Sequence, residues 1–315
     1  MCGFVIGNIF KDKKEFCESL NYITHRGQDS QGIHQDLDTF IGHNRLSIQG
    51  LNTESNQPMF LDSKVLVYNG ELWKSMDVFK NDYDLHTGSD TELLLNMLIT
   101  EKEECINKLD GMFGFALFDE NKRSILFARD FMGRIPLYYY KVDKKIIVAS
   151  ELKSITHTLN VNASEVEIVQ PGYYYNFDYV TGHLSKTKFY NYPDVNLIED
   201  MSEDVITTNI KTLLTNAVDN ELISDVPVCT FLSGGIDSTI ITYLLSKRVP
   251  NLQAFVVSMG ETGKKDDLYY ARMAAKEIGI PLHEVIIDRE FVDKNLTRTV
   301  YAVSYTHLTL PTMAI

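Results

Sequence analysis

The second residue of the chain is a cysteine, and its position gives the thiol a chemistry that it lacks elsewhere. A thiol is a strong nucleophile near neutral pH, but a base must first take its proton. Once Met1 is removed, the α-amine of Cys2 lies beside its own thiol and, with an ordinary pKa of about 7.7–8, can act as that base. Cysteine is small enough for methionine trimming, and we expect Gly3 to let the backbone approach a substrate closely. Taken alone, Cys2 better fits a small buried residue at a tucked-in N-terminus.

A second stretch whose residue types could bind a ligand is the loop Ser233-Gly234-Gly235-Ile236-Asp237-Ser238. It follows an apolar segment (226–232) and opens another (239–245), which predicts a turn from a strand into a helix. Two glycines let backbone N–H groups face outward, and the helix N-terminus adds positive potential, so the loop suits a pyrophosphate group. No Lys-Ser or Lys-Thr pair closes the loop, which excludes the Walker pattern. A plain glycine turn is the alternative.

The first 192 residues must position Cys2 with short strands, because brief apolar runs alternate there with turn residues. Strands are expected at 65–68, 113–118 and 124–128, and hairpins at 137–148 and 173–190. Ser89 and Glu92 have capping-box spacing, which predicts that a helix begins there and that the glutamate reaches back to the serine.

From residue 205 onward, helical and strand patterns alternate, which is typical of a parallel α/β sheet. The expected order is helix 205–222, strand 226–232, helix 238–247, strand 254–259, helix 268–278 and strand 283–287. The polar stretch 193–204 is the predicted linker, so the domains are 1–192 and 205–303. No formally charged residue occurs in 299–315, and we treat 304–315 as a tail of doubtful origin.

Charge and composition exclude several classes of partner. Asp and Glu outnumber Lys and Arg by 43 to 30, giving a net charge of -13, which argues against a surface for nucleic acid or anionic membrane. The four cysteines have no CxxC spacing, so neither a disulfide framework nor a zinc site is indicated. Without a signal peptide or an apolar run of about 18 residues, we expect a cytoplasmic protein that acts on small molecules.

Motifs in a fixed order make the first half recognisable, and together they resemble the class II glutamine amidotransferases. These motifs are Cys2-Gly3-Phe4, His25-Arg26-Gly27-Gln28-Asp29, Asn44-Arg45-Leu46-Ser47-Ile48, Gln57-Pro58-Met59, Tyr68-Asn69-Gly70-Glu71 and Gly88-Ser89-Asp90-Thr91-Glu92. Further motifs resemble the glutaminase half of asparagine synthetases in particular. They are Leu109-Asp110-Gly111-Met112-Phe113, Ala128-Arg129-Asp130 with Pro136-Leu137-Tyr138-Tyr139, and Ala149-Ser150-Glu151 with Lys153.

The resemblance implies an N-terminal nucleophile (Ntn) hydrolase sandwich, αββα, in which Cys2 attacks the side-chain amide of glutamine. The Asn69 side chain and the Gly70 N–H would form the oxyanion hole. Arg45 would bind the glutamine α-carboxylate and Asp90 its α-ammonium group. The implied glutamine site comprises Arg45, Leu46, Ser47, Ile48, Asn69, Gly70, Glu71 and Asp90. Taken singly, Asn69-Gly70 fits a hairpin turn, Arg45 a surface charge and Asp90 a helix cap.

The serine-glycine loop resembles the Ser-Gly-Gly-x-Asp-Ser loop of pyrophosphate-releasing ATP enzymes. Together with the glutaminase motifs it implies an asparagine synthetase, in which ATP and Mg²⁺ convert aspartate to β-aspartyl-AMP and channelled ammonia attacks it. The fold implied is an α/β parallel-sheet ATP-pyrophosphatase domain, here incomplete. Implied ATP contacts are Leu232, Ser233, Gly234, Gly235, Asp237, Ser238 and Val257. Asp237 would also meet Mg²⁺ through the pyrophosphate, and Asp267 aligns with an acidic residue near ATP.

Some positions depart from the asparagine synthetase pattern. His25-Arg26-Gly27-Gln28 is closer to the phosphoribosyl amidotransferases, and Phe131 and Ile135 replace residues that are often polar or basic. A second glycine- and acid-rich loop and a later lysine are also missing, so we expect glutaminase activity without asparagine synthesis from the chain as written. The alternatives are an amidotransferase with another acceptor and an inert or partner-binding fragment. Oligomeric state stays open, a homodimer included.

Overall fold

The computed structural model describes residues 1–192, 201–259 and 266–302. They form two compact units, one within 1–192 and the other within 201–302. Most of the predicted linker and all of the predicted tail lie outside the described residues.

The first unit contains two six-stranded sheets whose strand pairs are antiparallel. The first sheet has the order β10-β8-β9-β1-β3-β2 and the second β12-β11-β7-β6-β5-β4. The strands are β1 Gly3–Gly7, β2 Ser30–Asp36, β3 Thr39–Arg45, β4 Met59–Leu61, β5 Lys64–Leu72, β6 Gly111–Asp119, β7 Ser124–Arg129, β8 Tyr138–Val142, β9 Lys145–Ala149, β10 Glu167–Ile168, β11 Tyr173–Asp178 and β12 Leu184–Lys188. The expected strands and both hairpins are confirmed.

Helices cover the outer faces of the sheets and create three apolar cores. Alternate residues of β1 and β5, such as Phe4 and Val67, fill the core between the sheets. The helices α1 (Lys13–Asn21) and α3 (Leu152–Leu159) pack on the first sheet, and α2 (Asp90–Thr100) packs on the second. The unit is therefore the αββα sandwich that the resemblance implied.

The start of α2 follows only half of the predicted capping box. Ser89 is the N-cap, and its hydroxyl accepts from the backbone N–H groups of Thr91 and Glu92. The Glu92 carboxylate does not return to Ser89; it accepts from the N–H groups of His86 and Thr87 in the preceding turn. This cap sets Asp90 as the first helical residue, facing the end of β5.

A single tryptophan follows β5 directly. Trp73 donates its backbone N–H to the carbonyl oxygen of Asp110 at 2.8 Å, and its side chain is 9% exposed. The guanidinium carbon of Arg134 lies 5.7 Å from the centre of its ring, within the range of a cation–π contact. These contacts fix Trp73 in place. The residue before it, Leu72, donates its backbone N–H to Asp90.

The second unit alternates helices and parallel strands, as predicted. Its sheet has the order β13-β14-β15, and Leu232, Ala254 and Leu268 contribute to the core beside it. Its elements are α4 Glu203–Glu221, β13 Cys229–Phe231, α5 Ile236–Ser246, β14 Gln253–Ser258, α6 Asp267–Ile278, β15 Leu282–Ile286 and α7 Arg289–Ala302. The first helix begins two residues earlier than expected, and β13 is shorter than the predicted strand at both ends.

None of the described helices combines the length and apolarity that crossing a membrane requires. Within the same described residues, His, Cys, Asp and Glu side chains form no group of three or more that could hold a metal ion.

Candidate active site

Cys2 lies just before β1, on the side of the strand that faces the space between the sheets. Phe4 and Ile6 face that space, and side chains alternate along a strand, so the Cys2 side chain points the same way. Its Sγ atom accepts from the Leu46 N–H at 3.4 Å and lies 3.5 Å from the Leu46 carbonyl oxygen. Burial raises the pKa of the thiol, and the Leu46 N–H offsets that shift only in part. A base beside the thiol is therefore needed at neutral pH.

The backbone of Cys2 is held by Arg26. The Nε–H of Arg26 donates to the Cys2 carbonyl oxygen at 2.7 Å. A Cβ atom on Gly3 would lie 2.9 Å from Cδ of Arg26, so glycine makes room for this side chain. The close approach that we expected a substrate to make at Gly3 is made by Arg26.

Asn69 and Gly70 lie within β5, opposite Gly114 and Phe113 of β6, so the hairpin-turn alternative is wrong. The Asn69 side-chain Nδ2 is buried and has no hydrogen-bond partner. Leaving a buried donor unpaired costs about 1–3 kcal/mol, so this N–H group is available for an acceptor that arrives with a ligand. At Gly70 a Cβ atom would lie 2.2 Å from the Met112 carbonyl oxygen, which excludes a larger residue there.

Asp90 is buried, and its carboxylate reaches back to β5. Its Oδ2 accepts from the Tyr68 hydroxyl at 3.0 Å and from the Leu72 N–H at 3.1 Å. Burial raises the pKa of Asp90, although these donors partly offset the shift. Since Ser89 caps the helix, the helix-cap alternative for Asp90 is wrong. A buried carboxylate of this kind gains from a cationic ligand group.

Arg45 is buried at the end of β3, so the surface-charge alternative is wrong. One guanidinium nitrogen donates to the Asn52 carbonyl oxygen at 2.9 Å and to the Asn56 side-chain oxygen at 2.8 Å. The other donates to the carbonyl oxygens of Gln49 and Gly50. A carboxylate ligand would therefore have to exchange for acceptors in the 49–56 segment.

A cavity joins Cys2, Gly70, Asp90 and Arg45. Seven of the predicted site residues line it: Cys2, Arg45, Leu46, Ile48, Gly70, Glu71 and Asp90. It encloses about 30 Å³, which is room for roughly two water molecules. Glutamine would need the surrounding segments to move apart. Two predicted site residues, Ser47 and Asn69, are absent from the lining. The Ser47 N–H donates to the Asp29 carboxylate at 2.7 Å.

Six further lining residues were not predicted as site residues from the sequence. They are Gln49, Ser55, Gln57, Tyr68, Ser89 and Thr91. Gln57 accepts from the Tyr68 N–H at 2.6 Å and donates to the Thr91 hydroxyl at 3.3 Å, so it links β5 to α2. Its occurrence in the Gln57-Pro58-Met59 motif was the available signal.

In the second unit, the serine-glycine loop joins β13 to α5 as predicted. Gly234 has a φ of +78°, and a Cβ atom there would lie 2.5 Å from the Ala271 backbone nitrogen, so glycine is required. The hydroxyl oxygens of Ser233 and Ser238 lie 3.0 Å apart. Gly235, the N-cap of α5, carries no side chain to occupy the first N–H groups of the helix. The loop thus offers backbone donors to an anion.

The remaining predicted nucleotide contacts differ in exposure. The Leu232 side chain is fully buried in the core, so only its backbone can reach a ligand. Val257 is 52% exposed on β14, and Asp237 and Asp267 are exposed in the first turns of their helices. A carboxylate suits Mg²⁺ when the nucleotide supplies further oxygen ligands.

Comparison with known families matches both parts of the chain. Residues 1–196 match a model described as glutamine amidotransferase domain, and residues 209–313 match one described as asparagine synthase.

Two curated relatives are about equally similar. Asparagine synthetase [glutamine-hydrolyzing] 1 of Bacillus subtilis (strain 168) is 30% identical over 93% of this chain and 51% of its own length. Amidase chyE of Penicillium rubens is 30% identical over 88% of this chain and 47% of its own length. The chain spans about half the length of these relatives.

A solved structure of the allosteric regulatory enzyme of purine biosynthesis has a similar fold. It superposes with a TM-score of 0.52 at 17% identity, covering 91% of this chain and 80% of that one. At this identity the likeness supports the fold alone.

Proposed function

The chain belongs to the glutamine amidotransferase family, and we propose that its first unit hydrolyses glutamine to glutamate and ammonia, with Cys2 as the nucleophile. The observation that carries this proposal is the cavity that brings Cys2 together with Arg45, Gly70 and Asp90. The residue before Gly70, Asn69, has a buried side-chain N–H group without an acceptor. A buried donor without a partner can serve to stabilise charge that forms during a reaction.

In the proposed reaction the Cys2 sulfur bonds to the side-chain carbonyl carbon of glutamine, and the thiol proton passes to the α-amine freed by removal of Met1. The negative charge on the carbonyl oxygen is met by the Asn69 side chain and the Gly70 N–H. Collapse of this intermediate breaks the C–N bond and releases ammonia, which leaves with the proton. Water then cleaves the thioester, yielding glutamate and the free thiol.

Arg45 and Asp90 would orient the substrate. The Arg45 guanidinium suits the α-carboxylate, provided that the carbonyl oxygens of the 49–56 segment give up some of its N–H groups. Asp90 would take the α-ammonium group and, in doing so, offset its own burial. Leu46, Ser47, Ile48 and Glu71 would complete the glutamine site.

We further propose that the ammonia serves a glutamine-dependent asparagine synthetase, in which aspartate activated by ATP as β-aspartyl-AMP gives asparagine, AMP and pyrophosphate. The asparagine synthase match over the second unit supports this. The serine-glycine loop would hold the nucleotide phosphates, with Val257 and the Leu232 backbone beside the adenosine. Asp237 would contact Mg²⁺, which neutralises phosphate charge.

A different acceptor is the second candidate. The match to amidase chyE, at the same identity as the match to the Bacillus synthetase, favours it specifically. The glutaminase half of the proposal is the same in both cases.

The deciding experiment measures glutamate release from glutamine by the chain with Met1 removed, beside Cys2→Ala. We expect release by the parent chain, none by Cys2→Ala, and no dependence on ATP, Mg²⁺ and aspartate. Asparagine formation in the same assay would overturn the expectation that this stretch of sequence acts as a glutaminase alone. A folded chain with a free Cys2 amine that releases no glutamate would contradict the glutaminase proposal and favour an inert fragment.

A further inference from the structure

Glu151 is a fully buried carboxylate that receives cationic and imidazole groups from three directions. Its Oε1 lies 3.0 Å from His25 Nε2 and accepts from a terminal guanidinium nitrogen of Arg26 at 2.9 Å. Its Oε2 lies 2.7 Å from the Lys153 ammonium nitrogen. The Glu151 side chain is 0% exposed and that of Arg26 is 7% exposed. A buried carboxylate that lost these partners would be strongly destabilised.

Local structure does not account for the direction of this side chain. Glu151 occupies the N-cap position of α3, yet its side chain makes no capping hydrogen bond. The preceding residue, Ser150, is already tied to β1, because its hydroxyl accepts from the Phe4 N–H at 2.9 Å. Ser150 thus holds β1 directly, and Glu151 holds the start of the chain through Arg26.

The connection runs from Glu151 to the nucleophile in two hydrogen bonds. One Arg26 nitrogen donates to Glu151, and the Nε–H of the same planar group donates to the Cys2 carbonyl oxygen at 2.7 Å. Gly3 admits the Arg26 stem, since any Cβ there would overlap it. A chain-terminal residue is poorly ordered unless it is tied down, and Cys2 precedes the first paired residue of β1.

We infer that Glu151 is a positioning residue for glutamine hydrolysis, which fixes the Arg26 guanidinium so that it holds the Cys2 carbonyl and aims the thiol and the α-amine. This inference rests on the proposed glutaminase. It assigns Glu151 an effect on the rate of the chemical step and none on glutamine binding, because neither Arg45 nor Asp90 contacts it among the hydrogen bonds and ion pairs described.

The test compares glutamate release by the full chain and by Glu151→Gln, both with Met1 removed. We expect kcat to fall about 10- to 100-fold, since a misplacement of about 1 Å can cost 10²-fold, with KM for glutamine within about twofold. Asp119→Asn is the matched control, because it removes a buried carboxylate paired with Lys64 in the same unit. It is expected to lower Tm and leave kcat unchanged.

A double-mutant cycle separates positioning from general stability. If Glu151 acts through Arg26, then Glu151→Gln combined with Arg26→Met lowers kcat no further than Arg26→Met alone. Additive losses, or a fall in kcat for Asp119→Asn as large as for Glu151→Gln, would overturn the inference. If Glu151→Gln does not fold, Arg26→Lys replaces it, because lysine keeps the charge but cannot make both hydrogen bonds in the planar guanidinium geometry. It should lower kcat at least tenfold.

The two proposals fail differently. A parent chain that releases no glutamate contradicts the proposed function. A parent chain that does so, with Glu151→Gln retaining kcat within twofold, contradicts only the positioning by Glu151.

Discussion

The proposed glutamine site and the serine-glycine loop place polar groups in opposite ways. In the first unit the groups are buried side chains fixed by residues far away in the chain, as with Arg26 and Glu151, which are 125 positions apart. In the second unit they are backbone groups within six consecutive residues, from Ser233 to Ser238, which are exposed or half-buried. A buried polar group without a partner lowers the stability of the fold, and a ligand that pairs with it removes that cost. An exposed group is hydrogen-bonded to water until a ligand replaces the water. Substitutions should therefore affect activity and stability differently in the two sites.

The largest expected effect is that of Asn69→Ala on catalysis. Loss of an oxyanion-hole donor costs about 2.7–4 kcal/mol of barrier, so kcat for glutamate release should fall 10²–10³-fold with KM little changed. Asn96→Ala is the control, because the Asn96 amide already donates to the Glu92 carbonyl oxygen. Equal kcat values for Asn69→Ala and the parent chain would contradict the idea that the buried Asn69 N–H group is kept for the reaction.

Asp90→Asn should weaken glutamine binding and strengthen the fold. Losing a charged hydrogen bond costs about 1.5–3 kcal/mol, which raises KM by about 10- to 150-fold. Because burial raises the Asp90 pKa in the folded chain, its ionised form is destabilising; this penalty is absent below the unfolded pKa and grows as pH rises. Calorimetry should therefore show a gain in Tm for Asp90→Asn that is larger at pH 7 than at pH 4.

Asp119→Asn should change Tm in the opposite direction to Asp90→Asn. Burial raises the pKa of Asp119, but hydrogen bonds and charges, chiefly from Lys64, together outweigh burial and hold the pKa below its usual value. The stabilisation from this carboxylate is present above the unfolded pKa and disappears as pH falls through the folded one. Asp119→Asn should lower Tm at pH 7 and have less effect at pH 3. A change in Tm of the same sign for both variants at pH 7 would contradict the interpretation that ionised Asp90 destabilises the ligand-free fold.

Gly234→Ala should perturb the second unit alone. A left-handed backbone costs a residue with a Cβ atom about 1–2 kcal/mol, and the contact with Ala271 adds to this. Hydrogen exchange in α6 and β14 should quicken, with glutamate release unchanged. Gly235→Ala is the control, since φ there is -71° and the nearest atom to a Cβ is 3.5 Å away. Equal exchange in both variants would contradict the requirement for glycine at 234.

The smallest expected effect is that of Ser238→Ala on stability. Among the described residues, its hydroxyl contacts Ser233 and the Gly235 carbonyl oxygen, at the exposed start of α5. The free energy of unfolding should therefore change by less than about 1 kcal/mol. Ser246→Ala, at the other end of α5, serves as the control in urea titrations. A larger loss for Ser238→Ala would mean that the loop is not a solvent-satisfied surface.

The order of strand, loop and helix at the serine-glycine loop was predictable because it depends on neighbours in the sequence. The close approach of Gly234 to Ala271 was not, because it depends on packing against α6. For the first unit, the order of motifs pointed to Cys2, Asn69 and Asp90 as candidate site residues, and brief apolar runs between turn residues predicted the strands. The contact from Gln57 to Tyr68 and the hydrogen bonds that occupy Arg45 were not predictable, because they depend on the packing of distant segments. The predicted hydrogen bond from Ser89 to the Glu92 carboxylate is absent because that carboxylate accepts from the N–H groups of His86 and Thr87 in the preceding turn.

The single tryptophan gives the first unit an optical reporter. Trp73 follows Leu72, whose N–H donates to Asp90, and its ring lies beside the Arg134 guanidinium. Its indole emission depends on that charge and on local packing, so it should respond when an ammonium group arrives at Asp90. The 17 tyrosines occur in both units, but excitation at the red edge selects the indole. Occupancy of the glutamine site can thus be followed by fluorescence without a label while the serine-glycine loop stays optically silent.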